Sequence, residues 1–95
     1  MNIIWFGNNW LGLKSLERII DYGASPRCCV LHPPDDQKYG DQLKDVASRD
    51  SIDVIAPEKI KTQDFINTVR EYEPDLGISV LYGKILPSSV IQLFP

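Results

Sequence analysis

The sequence is short of the residues with which small proteins build metal, redox or membrane functions. Among 95 residues there is one histidine, His32, and there are two cysteines, which are neighbours at Cys28 and Cys29. Adjacent strand residues point to opposite faces and cannot bond to each other without unusual geometry, so both read as buried, reduced thiols. With no spaced cysteine pair beside the single histidine, no zinc site is expected. No apolar stretch approaches the roughly 20 residues needed to span a bilayer, and Met1 leads into a strand-like run with no basic leader before it. The expectation is a cytoplasmic chain with no membrane partner. Positive charge is scarce as well: ten Lys and Arg stand against thirteen Asp and Glu, a net charge of −3. That lacks the basic footprint of a nucleic-acid-binding domain. Lys59-Ile60-Lys61, the densest basic stretch, reads as a solvated approach to a helix. Internal repeats, low-complexity tracts and linkers are missing too.

What remains is the balance of one folded domain, 43% hydrophobic and 24% charged. A chain of this size hides only about 60–65% of its unfolded surface, so every element matters to its stability. Asn2 to Phe6, Arg27 to Leu31, Ile52 to Ile55 and Asp75 to Leu81 are apolar runs bounded by Gly, Pro or Asp. Most are apolar at successive positions, as in strands covered on both faces. Between them Leu13, Leu16, Ile19 and Ile20 recur at helical spacing, as do Leu43, Val46 and Ala47, then Phe65, Ile66, Val69 and Tyr72. Pro87-Ser88-Ser89 opens a last short helix, with a serine placed to cap it. The pattern β-α-β-α-β-α-β-α predicts an α/β fold, a Rossmann-like doubly wound parallel sheet whose ligands sit at the carboxyl ends of the strands.

One of those ends carries GNNWLGLKS, Gly7 to Ser15. It half-fits two phosphate-binding motifs. A P-loop has Lys directly after its last Gly, whereas Leu13 intervenes here and turns Lys14 by about 100° around the helix. A dinucleotide loop needs a middle glycine where this chain has Asn9. His32 sits at a second strand end, but Pro33 and Pro34 make a stiff turn there, and no catalytic role is expected of it. Asp35 and Asp36 stand where a ribose-reading acid could stand, a weak reading without the middle glycine.

A fourth strand end is more specific. Glu73-Pro74-Asp75-Leu76, followed by Val80-Leu81-Tyr82-Gly83-Lys84-Ile85-Leu86-Pro87, resembles the amino-terminal part of the 10-formyltetrahydrofolate-dependent formyltransferases, in which a P-D-hydrophobic strand runs into a Y-G-x-I-L-P turn. Ser15-Leu16-Glu17, Pro34-Asp35 and Ile55-Ala56-Pro57-Glu58 match in the family's order and spacing. The resemblance implies that residues 1–95 are the amino-terminal half of a catalytic domain, an incomplete one. The family's catalytic Asn, His and Asp belong to motifs downstream of the turn, so no catalytic residue is expected within this chain. By the same resemblance Lys84, Ile85 and Leu86 line the site of 10-formyltetrahydrofolate, and Asn8, Asn9 and Trp10 lie beside the amine acceptor. In some members the first loop holds an acceptor phosphate with backbone N–H groups at the helix N-terminus.

The stretch His32 to Gly40 is short and carries two aspartates against Lys38, which disfavours a tRNA acceptor. The expectation is therefore a formyl transfer to an amino-sugar nucleotide, with methionyl-tRNA as the alternative. A non-catalytic Rossmann-like binding module is the alternative of another class. An uncovered strand edge would invite a homodimer.

Overall fold

A computed structural model describes residues 1–95. The elements are β1 (Ile3–Gly7), α1 (Asn9–Asp21), β2 (Cys28–Val30), a 3-10 turn (Pro34–Asp36), α2 (Gly40–Arg49), β3 (Asp53–Ile55), α3 (Gln63–Arg70), β4 (Leu76–Val80) and α4 (Ser88–Ile91). All strand pairs are parallel and the sheet order is β3-β2-β1-β4. The chain therefore winds outward from β1 to β3, then crosses to the other side of β1. That reversal leaves a crevice between the carboxyl ends of β1 and β4.

Alternation along β1 and β2 divides the core into two layers. Ile4, Phe6, Cys28 and Val30 face Phe65, Ile66 and Val69 of α3 and Val90 of α4. Trp5 and Cys29 face Leu13 and Leu16 of α1 and Leu43, Val46 and Ala47 of α2. The adjacent cysteines thus lie in different layers, as their spacing implies. Burial pushes the Cys28 thiol up to about 11 and the Cys29 thiol up to about 12.

Two expectations are corrected. All of β1 and β2 is buried, but β3 and β4 are partly exposed, because they are the edges of the sheet rather than strands covered on both faces. The last helix also lacks its serine cap. Ser88 lies inside the first turn of α4, the N-cap is Pro87, and the Pro87 carbonyl accepts from the N–H groups of Val90 and Ile91 at 2.9 and 3.1 Å. A side-chain cap occurs instead at α3, where the Thr62 hydroxyl accepts from the Phe65 N–H at 3.2 Å.

Candidate functional site

Gly7 pairs with Val80, so Asn8 and Leu81 leave the sheet side by side, one on each flank of the crevice. The first flank owes its shape to a tryptophan. Trp5 and Gly7 share a face of β1, and a Cβ on Gly7 would fall inside the Trp5 indole. A Cβ on Gly12 would stand 3.5 Å from the Val80 carbonyl and 3.6 Å from Trp5 Cη2. Gly7, the first glycine that lends GNNWLG its likeness to a phosphate loop, is explained by close packing over this ring, whereas a side chain at Gly12 would make only ordinary contacts. A bulky residue at position i of a strand with glycine at i+2 is a sequence signal that identifies such a role.

Both polar atoms of the Asn8 side chain and the Oδ1 of Asn9 are paired within the protein. Asn8 Oδ1 accepts from the Lys38 N–H at 2.8 Å, and its Nδ2 donates to the Asp36 carbonyl at 3.3 Å. The Asn9 N–H donates to the Lys38 carbonyl at 3.0 Å, while Asn9 Oδ1 accepts from the Leu11 N–H at 3.2 Å. Two N–H groups of the first turn of α1 are engaged in this way. Of the two asparagines suited to a left-handed backbone only Asn9, at φ 66°, adopts it, because Asn8 is extended. Trp10 stays 52% exposed with the Lys14 ammonium 5.9 Å from its ring.

The second flank is more open. Leu81 and Gly83 take φ of 50° and 78°, and the buried Tyr82 between them stands edge-on to Phe6 at 5.7 Å and to His32 at 4.7 Å. Burial pushes the Tyr82 phenol up to about 12, and its hydroxyl has no partner. His32 Nε2 donates to the Tyr82 carbonyl. Beyond this anchor Lys84 is half-buried and Ile85 is 94% exposed. Leu86 is half-buried and lines a groove of about 290 Å³ with Phe6, Ser79, Ile91 and Phe94. The six residues expected at a site therefore fall on two turns at one end of the sheet, three on each.

No family model matches the chain. A methionyl-tRNA formyltransferase of Acetivibrio thermocellus is 32% identical over 100 residues, covering all of this chain and 32% of that relative. Methionyl-tRNA formyltransferases of Ruminiclostridium cellulolyticum and Desulforamulus reducens are 34% and 32% identical over the same span. Along its whole length the chain is similar to these formyltransferases. It spans about a third of the length of the curated relatives it matches.

Within the formyltransferases, these relatives give no support to the expected amino-sugar acceptor, since each carries methionyl-tRNA in its name. The stretch from His32 to Lys38 braces its neighbours through backbone groups and Gln37, while the side chains of Asp35 and Asp36 stay exposed. Sequence reading also missed Trp5, Gln37 and Lys38 as determinants of this site. Gln37 and Lys38 act on backbone partners or through their own backbone, which leaves no side-chain pattern to find.

Proposed function

We propose that this chain supplies the donor-side and acceptor-side turns of an enzyme that formylates the amine of methionyl-tRNA. The observation that carries the reading is the match of the whole chain to methionyl-tRNA formyltransferases. Its geometric support is that both turns flank one crevice at the point where the strand order reverses.

The donor, 10-formyltetrahydrofolate, is a substrate that supplies the formyl group. The residues present fit one wall of its site. Ile85 and Leu86 offer apolar surface to flat rings, and Lys84 offers a cation to carboxylates. On the other flank Trp10 presents an exposed indole on which a nucleobase of the acceptor end can stack. Asn8 shapes the loop, and Asn9 fixes its left-handed step. Together these groups bind, orient and exclude water. Stabilisation of an oxyanion and proton movement fall to the Asn, His and Asp that the resemblance places outside these 95 residues.

A chimera tests the reading: residues 1–95 replace the matching segment of the Acetivibrio enzyme, and formylation of methionyl-tRNA is followed. The expected result is formyl-methionyl-tRNA at a rate that Ile85→Asp lowers through a raised folate KM. A folded chimera that binds folate yet formylates only amino sugars would overturn the acceptor. A folded chimera that binds no folate would overturn the donor turn.

A further inference from the structure

The lone histidine has no part in the chemistry above, yet it sits between the two turns. His32 is 9% exposed, and its Nε2 bonds a carbonyl, so that nitrogen carries the proton. Its ring meets Tyr82 edge-on, 73° between planes. The His32 carbonyl accepts from Gln37 Nε2 at 2.8 Å. The next residue, Lys38, holds Asn8 and Asn9 through its N–H and its carbonyl. A continuous bracket therefore runs from the turn after β1, through residues 32–38, to the turn after β4.

The turn after β4 needs such a hold. A left-handed leucine is disfavoured by about tenfold, and a single hydrogen bond favours its partner conformation by a factor of the same order. The carbonyl that His32 fixes lies directly after Leu81, at φ 50°, and directly before Gly83, at φ 78°. Removing that one donor is enough to shift the balance.

We propose that His32 is a positioning residue for the formyl-donor turn: by fixing the Tyr82 carbonyl it sets the orientation in which Lys84, Ile85 and Leu86 meet the folate. This rests on the assignment of that turn to the donor. His32 touches neither donor nor acceptor in this role, and acts only through the backbone of Tyr82.

Two substitutions separate the role from simple packing. His32→Leu keeps the volume against Tyr82 and loses the donor, whereas His32→Gln keeps an N–H that can reach the carbonyl. The ratio of second to native turn conformer is read from 15N relaxation of the Gly83 to Ile85 amides in each chain, together with affinity for the stable isomer 5-formyltetrahydrofolate. In His32→Leu that ratio should rise about tenfold and the affinity fall about tenfold, while His32→Gln restores both to within about threefold. An unchanged ratio in a folded His32→Leu chain, or no rescue by glutamine, would overturn the proposal. If the unsubstituted chain binds no folate, the donor assignment fails, and the conformer ratio alone still decides whether His32 holds the turn. Should His32→Leu not fold, Gln37→Ala frees the His32 carbonyl and should raise the same ratio about threefold. A turn left as rigid as before would then count against the bracket.

Discussion

The two turns at the carboxyl end of the sheet were built to different rules. Gly7 to Gly12 looks like a ligand loop and is closed. Gly7 makes room for Trp5, and both polar atoms of Asn8 are bonded within the protein. Tyr82 to Pro87 lacks any phosphate-like signature and is held by one buried tyrosine and one half-buried leucine, with Ile85 left in solvent. Glycine in a loop marks closeness, and what comes close is as readily an indole as a ligand. A single buried anchor followed by exposed apolar and basic residues is a better sign of a binding surface.

The comparison breaks first at Gly7. Gly7→Ala should cost about 3 kcal/mol, the upper end for overpacking, because the new methyl meets the middle of a fully buried ring. Urea unfolding measures this, and Trp5→Leu in the same chain should recover part of the loss. If Gly7→Ala is neutral, packing does not explain the glycine. Asn8→Ala comes next, at about 1–3 kcal/mol by the same assay, since it strips the Lys38 N–H of its acceptor.

A pH series sharpens the contrast from the Tyr82 side. The ordinary values are 9.0 for the thiols and 10.0 for the phenol, and folding raises them to about 11, 12 and 12 for Cys28, Cys29 and Tyr82. The folded state therefore prefers the protonated forms. Their contribution is whole below pH 9 and is lost as pH rises through 11 to 12, so melting temperature should fall across that window. Tyr82→Phe removes the phenol's share and the unpaired hydroxyl, and should flatten the fall without lowering stability at pH 7. A curve as steep as that of the unsubstituted chain would show that the phenol is not buried in solution. The smallest effect is expected at the open turn itself. Lys84→Ala and Ile85→Ala should each leave stability within about 0.5 kcal/mol while weakening folate binding. A stability loss without a binding loss would show that this turn serves packing rather than the donor.

Much of the fold is legible in the sequence, because the four apolar runs and the intervening helical periods record burial directly. The rank of strands within the sheet is not. Asp75 to Leu81 reads as a strand just as Asn2 to Phe6 does, yet β4 is an edge and β1 lies inside the sheet, since a strand-like run does not state its place in the order. The site divides in the same way. The Lys84 to Leu86 turn is visible through resemblance and sequence order. The bracket is invisible, because Asn8 reaches backbone groups of residues 28 and 30 positions away, and His32 reaches a carbonyl 50 positions away. Any residue can offer a carbonyl, so such bonds leave no pattern.

The paired cysteines give this small chain a built-in comparison of its own layers. One peptide bond separates a sulfur under α3 and α4 from a sulfur under α1 and α2. Helices of 8 and 4 residues cover the first, and helices of 13 and 10 residues cover the second. Under slow alkylation of the native chain, breathing of the thinner layer should label Cys28 well before Cys29. The ratio of the two singly labelled species then reads out which half of the molecule lets go first, from neighbouring atoms that share every other condition.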